Sequence, residues 1–144
     1  NNHMFLNTGS PHHVQFEDDI EDFDIKTKGA NIRYGAPYNE AGTNVNFVKK
    51  LSESTFKVRT YERGVEDETL ACGTGVTAVA LSYAVLKNLS NAKHSVKIKS
   101  MGGVLRVSFE KTLDGFTNIW LEGAADKVFE GTFVLEDFKS NDWG

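Results

Sequence analysis

The sequence predicts a single α+β domain in which a curved, mostly antiparallel sheet wraps around one central helix. Three observations carry this. Several short segments alternate apolar and polar residues, one segment has a strong helical period, and glycine-containing turn signals separate the strands. At 144 residues the chain is one ordinary domain, because domains typically run to about 100–200 residues.

The strands are read first. Residues 55–61 set Phe56 and Val58 on one face, with Lys57 and Arg59 on the other. The same pattern recurs over 95–100 with Val96 and Ile98, and over 104–110 with Leu105, Val107 and Phe109. It returns over 117–122 with Ile119 and Leu121. A period of two with one apolar face describes half-buried strands, most naturally antiparallel. Turns are expected at 101–103, Asp114-Gly115, Glu122-Gly123 and Glu130-Gly131.

The helix follows Gly75. Val76, Val79, Ala80, Tyr83, Ala84 and Leu86 fall at the i, i+3, i+4, i+7 spacing, no proline interrupts them, and residues 88–91 supply a stop. A shorter helix is expected over 25–34, weakened by Gly29. There is no internal repeat and no low-complexity tract. Residues 1–4 show no periodicity and are set apart as a candidate expression scar around an introduced methionine, leaving one domain over 5–144.

Composition excludes several classes. Hydrophobic residues at 40% and charged residues at 25% are those of a folded globular chain. A net charge of −4 without a basic stripe argues against a nucleic-acid partner. The apolar runs fall short of the roughly 20 residues that span a bilayer, so no membrane partner is expected. The single cysteine, Cys72, excludes an internal disulfide and suits a reducing compartment, with the cytoplasm as the default. The acidic run over 17–24 has six carboxylates in eight residues but lacks the glycine and terminal glutamate of a calcium loop. It reads as a solvated face. His3, His12 and His13 have no cysteine or histidine at ligand spacing, so no metal is expected.

The chemistry concentrates over 61–76, where Cys72, Gly73 and Gly75 stand at the mouth of the apolar helix. A helix start carries unpaired N–H groups and partial positive charge, so Gly73, Thr74 and Gly75 can receive a carboxylate or phosphate. The same field favours an anionic sulfur, which makes Cys72 a usable base or nucleophile. The bland alternative is that Cys72 is a small buried hydrophobe beside Ala71. Glu62 and Arg63 close the strand over 55–61. They are either a surface ion pair or, respectively, a partner for an ammonium and a bidentate clamp for a second carboxylate. An anion site, a cation site and a thiol in one window describe an amino-acid pocket. Two further groups are noted. Residues 8–12 form a turn ending in the His12 imidazole, and residues 43–47 put Asn44 and Asn46 on one strand face and Val45 and Phe47 on the other.

These residues together resemble the diaminopimelate epimerase family, specifically its C-terminal half. The matching stretches are Thr8-Gly-Ser-Pro-His12, Gly42-Thr-Asn-Val-Asn-Phe47, Tyr61-Glu-Arg-Gly64, Ala71-Cys-Gly-Thr-Gly75, Met101-Gly-Gly103 and the closing 121–131. The resemblance implies one of the family's two pseudo-symmetric halves and a cofactor-free, PLP-independent, metal-free inversion at the α-carbon of diaminopimelate, interconverting its LL and meso forms in lysine and peptidoglycan precursor biosynthesis. Two cysteines on opposite faces of the substrate exchange the proton, and Cys72 matches one of them. Glu62 matches a residue that meets the α-ammonium and tunes the cysteines, and His12 matches a second residue that tunes their pKa. Gly73 and Thr74 match the amides that hold the α-carboxylate. Asn44 and Arg63 match substrate contacts, the arginine at the distal carboxylate.

Two departures stand out. Ser10 occupies a position where many members carry a substrate-contacting asparagine. The second cysteine is absent, so the chain is expected to be one half of a site whose partner is the N-terminal half of the same protein, in a full-length homodimer. Three competing readings are a proline or hydroxyproline racemase, a cysteine-nucleophile acyl transferase or hydrolase with His12 or His94 as its base, and a noncatalytic amino-acid-binding domain.

Overall fold

The computed structural model describes residues 2–134. Asn1, the first residue of the candidate scar, and residues 135–144 of the assigned domain lie outside the described residues. The strands are β1 (His3–Asn7), β2 (Pro11–Glu17), β3 (Asn44–Ser52), β4 (Thr55–Glu62), β5 (Asp67–Thr69), β6 (Lys93–Ser100), β7 (Gly103–Thr112) and β8 (Gly115–Gly123). Among the described residues two helices, α1 (Ile25–Tyr34) and α2 (Gly73–Leu86), accompany these strands. All strands join one sheet in the order β1-β2-β3-β4-β6-β7-β8, with β5 paired to β4 off that path. The β2–β3 and β4–β6 pairs are parallel and the others antiparallel.

The expected architecture is present, and α2 explains its curvature. This one helix touches β1, β2 and β3 at one end of the strand order and β7 and β8 at the other. A sheet can meet a single helix from both ends only by curling around it. Val76, Ala78, Val79, Ala80, Leu81, Tyr83 and Ala84 are all buried, so α2 is apolar around most of its circumference. Its core partners are Val14, Val48, Phe56, Val58, Val96, Ile98, Val107 and Phe109.

Strand alternation divides β3 and β4 between two cores. Val48, Val58 and Phe56 face α2, whereas Val45, Phe47 and Tyr61 pack with Ile20 and Ile25 beneath α1 on the other face. Helix α1 lies over the residues where the shorter helix was expected. Asp24 caps it by accepting from Thr27 N–H at 3.0 Å. Gly29, which weakened the prediction, is buried against Tyr61, and a Cβ there would collide with the Tyr61 ring. The glycine trades helix propensity for close packing on β4.

Asn2 to Met4 are not isolated from the fold. Asn2 exchanges backbone and side-chain hydrogen bonds with Phe16, and His3 and Met4 pair with Gln15 and Val14. The acidic run is held by cations. Asp19 pairs with Lys49, Glu21 pairs with Lys57, and Arg59 donates to the carbonyls of Ile20, Glu21 and Phe23. Among the described residues, no helix is long and apolar enough to cross a membrane.

Candidate functional site

The site forms where the α2 face of the sheet changes from apolar to polar. Val14, Val48 and Val58 fill that face under the body of the helix. One or two pleats further along the same strands stand His12, Asn44, Asn46 and Thr60. All four are buried, with His12 and Asn46 at 0% exposure. Buried polar groups must be hydrogen-bonded to one another or to the backbone. Here they converge on the first turn of α2.

Cys72 is the N-cap of α2, with extended backbone and no side-chain cap bond. The first ladder bond of this helix runs from Val76 N–H to the Cys72 carbonyl at 2.9 Å. The amides of Gly73, Thr74 and Gly75 therefore lie outside the helix ladder, as at any helix start. The half-buried Cys72 sulfur lies 3.5 Å from Thr74 Oγ1. Thr74 is the hub. Its hydroxyl is 2.8 Å from His12 Nε2 and 3.0 Å from Ser10 Oγ, and its carbonyl accepts from the Thr8 hydroxyl at 2.7 Å. Ser10 Oγ is also 3.0 Å from His12 Nε2.

The 8–11 turn is set by Gly9, whose φ of 115° is in the region that favours glycine. Asn44 then bridges this turn to the one after β4. Its amide nitrogen donates to the Pro11 carbonyl at 2.9 Å and to Ser10 Oγ at 3.3 Å, while its oxygen accepts from Arg63 N–H at 2.8 Å. Both donors and the carbonyl of Asn44 are thus engaged with protein groups. Burial drives the His12 pKa down to about 4, so the ring is neutral at physiological pH.

Cys72, Thr74, His12, Ser10 and Asn44 are brought into one network. Glu62 lies half-buried on the same strand face as Thr60, at the edge of that network. Arg63 points elsewhere. It is exposed, and its guanidinium donates to the Ala41 carbonyl at 2.7 Å. Among the described residues neither Glu62 nor Arg63 takes part in an ion pair, so the surface-pair reading is not what the structure shows. His94 is bonded to the Ser90 carbonyl at 2.8 Å and packs its ring on Phe109, so the histidine linked to Cys72 is His12. Three network members carried no expected role. Thr8 and Thr60 lacked a chemical signal, whereas Asn46 was visible as the second amide of a strand face.

Comparison with known proteins places these features. The family model for diaminopimelate epimerase matches residues 4–127. The chain is 54% identical to the diaminopimelate epimerase of Flavobacterium psychrophilum over 132 residues, covering 91% of this chain and 50% of that protein. Against the enzyme of the same name from Aquifex aeolicus it is 46% identical over 133 residues, covering 92% and 46%. The chain thus spans about half the length of the curated relatives it matches. Among solved structures, a hydroxyproline epimerase from Agrobacterium vitis aligns with a TM-score of 0.59 at 11% identity, covering 79% of this chain and 38% of that one. A predicted epimerase from Pseudomonas aeruginosa aligns with a TM-score of 0.57 at 15% identity, covering 76% and 36%. At these identities the structural likeness establishes the fold alone.

Proposed function

The chain belongs to the diaminopimelate epimerase family, and from that premise we propose that the full-length protein interconverts LL- and meso-diaminopimelate by proton transfer at the α-carbon, without a cofactor. The observation that carries this reading is the placement of the Cys72 sulfur at the open amide end of α2, 3.5 Å from the Thr74 hydroxyl that in turn meets His12 Nε2 at 2.8 Å. An α-carboxylate received by the Gly73 and Thr74 amides brings the α-carbon beside the sulfur. The partial positive charge of the helix start then opposes the negative charge that develops as the α-proton leaves.

In this reading Cys72 exchanges the proton on one face of the substrate, and a second thiol from the other half of the protein serves the opposite face. Glu62, at the rim, meets the α-ammonium. Arg63 reaches the distal carboxylate, exchanging its bond to the Ala41 carbonyl for the substrate. Ser10 and Asn44 hold the turns that bear these groups. The full-length enzyme is a cytoplasmic homodimer.

The test is incubation of the full-length protein with LL-diaminopimelate in deuterated water. The expected result is deuterium at the α-position together with the meso isomer, both lost in Cys72→Ser. Near-wild-type turnover by that variant would remove Cys72 from the mechanism. Turnover of proline with none of diaminopimelate would replace the substrate assignment.

A further inference from the structure

Asn46 is buried on β3 directly behind His12, and the bonds around it fix its orientation. Its amide nitrogen lies 3.0 Å from His12 Nδ1 and 3.2 Å from the His13 carbonyl oxygen, and its oxygen accepts from Thr60 Oγ1 at 3.0 Å. A backbone carbonyl only accepts. The reversed amide would set two acceptors against each other at the His13 carbonyl and leave the Thr60 hydroxyl facing an NH₂ group. The nitrogen therefore faces His12, and a nitrogen donating into Nδ1 requires a lone pair there. A neutral imidazole carries one N–H, so it lies on Nε2.

Resting on the reading of Cys72 as a proton-transfer thiol, we infer that Asn46 is a positioning residue that holds His12 as its Nε2–H tautomer, so that a one-way chain of donors runs from Asn46 through His12 and Thr74 to the Cys72 sulfur. Every proton in the chain is accounted for. Ser10 accepts from Asn44 and donates to Thr74. The two lone pairs of Thr74 Oγ1 then receive Ser10 and His12 Nε2–H, a hydrogen shared with the second Ser10 Oγ lone pair at 3.0 Å. The one hydrogen left on Thr74 points to Cys72 Sγ at 3.5 Å. With its Nδ1 lone pair held by Asn46 and its Nε2 already protonated, His12 does not take the cysteine proton. It polarises Thr74, which gives the thiolate a hydrogen bond. Burial of the ring reinforces the neutral state that this arrangement requires.

The test needs no substrate, so its failure is separable from failure of the epimerase reading. Long-range proton–nitrogen NMR of the ¹⁵N-histidine-labelled chain at neutral pH reads both ring nitrogens of His12. The expected spectrum has an unprotonated Nδ1 and a protonated Nε2, with Nδ1 gaining a proton in Asn46→Asp. A protonated Nδ1 in the wild-type chain overturns the proposal, whether or not the variant folds. The sulfur end is read by alkylation of Cys72 with iodoacetamide at pH 7. Loss of a hydrogen bond to a charged group costs about tenfold to a hundredfold in thiolate population, partly offset by greater intrinsic nucleophilicity, so Thr74→Val should react about threefold to tenfold more slowly. Thr74→Ser, which keeps the hydroxyl, should restore the rate. Equal rates in wild type and Thr74→Val would show that the chain of donors stops short of the sulfur.

Discussion

Arg33 Nε donates to Glu66 Oε1 at 3.2 Å, and through this bond the outer helix α1 holds the turn that carries Glu62 and Arg63. Glu66 is the clasp of that turn. It donates its backbone N–H to the Glu62 carbonyl at 2.8 Å, and its carboxylate accepts from Gly64 N–H at 3.0 Å and the Tyr61 hydroxyl at 2.9 Å. The Arg33 side chain is only 12% exposed and lies against Gly42, where any Cβ would collide with the guanidinium. The far face of the sheet thus positions the rim of the site.

Glu66→Gln should therefore act on binding more than on chemistry. The amide keeps some acceptor capacity but loses the charge that answers Arg33. Losing a partly buried charged hydrogen bond costs about 1–2 kcal/mol, which a lower urea midpoint with unchanged slope would report. In the full-length protein the Michaelis constant for diaminopimelate should rise several-fold with a smaller change in turnover. A fall in turnover alone would place Glu66 nearer the reacting atoms.

The depressed His12 pKa has a signed consequence for stability. In the unfolded chain the imidazole titrates near 6.5, and in the fold burial lowers it to about 4. Between these values the unfolded state binds the extra proton, so stability rises with pH. The contribution is complete above pH 6.5 and is lost as pH falls toward 4. From pH 7.5 to pH 5 the chain should lose about 2 kcal/mol at this one residue. His13, also lowered by burial, adds in the same direction. Urea unfolding at the two pH values measures the slope, and His12→Gln should remove most of it. A slope unchanged by His12→Gln would assign the effect to other groups.

Much of this architecture was legible because burial on one face forces alternation. Val96 with Ile98 and Phe56 with Val58 announced β6 and β4, and the period following Val76 announced α2. The elements that escaped lack that signal. Strand β5 is three polar residues, Asp67–Thr69, and β1 is an edge strand whose Phe5 is half exposed. The parallel β2–β3 and β4–β6 pairs join segments with a helix between them, which local pattern does not encode. The site shows the same division. Cys72, Thr74 and His12 carry chemically distinctive side chains, and the fold brings them together. The acceptor that holds Arg63 is a backbone carbonyl, that of Ala41, and no residue type marks it in advance.

Gly75 should be intolerant of even one methyl group. A Cβ there would lie 2.5 Å from Asn46 Oδ1, 3.2 Å from His12 Cε1 and 3.3 Å from Cys72 Cβ, inside the network itself. Alanine normally stabilises a helix relative to glycine by roughly 1 kcal/mol. Here overpacking of about 1–3 kcal/mol outweighs that gain. Gly75→Ala should lower the thermal midpoint of the chain and cut the turnover of the full-length protein by displacing Asn46 or Cys72. A more stable, fully active variant would mean that the helix start yields without cost.

The chain alone should fold yet fail to epimerise diaminopimelate. Folding is expected because the apolar core around α2 is made within the described residues, from Val14 on β2 to Phe109 on β7. Inactivity is expected because inversion needs an acid and a base on opposite faces of the α-carbon, and this sequence holds one thiol. The opening at Gly73 and Thr74 also needs a cover. Electrostatic contacts of this kind gain strength as water is excluded, and a helix start left open to solvent binds carboxylates only weakly. The purified chain should give no detectable interconversion of LL and meso forms. Activity should appear on mixing with a separately expressed N-terminal half, and that gain should vanish when the chain carries Cys72→Ser. Robust turnover by the chain alone would mean that one thiol suffices, and the two-cysteine mechanism would fall with it.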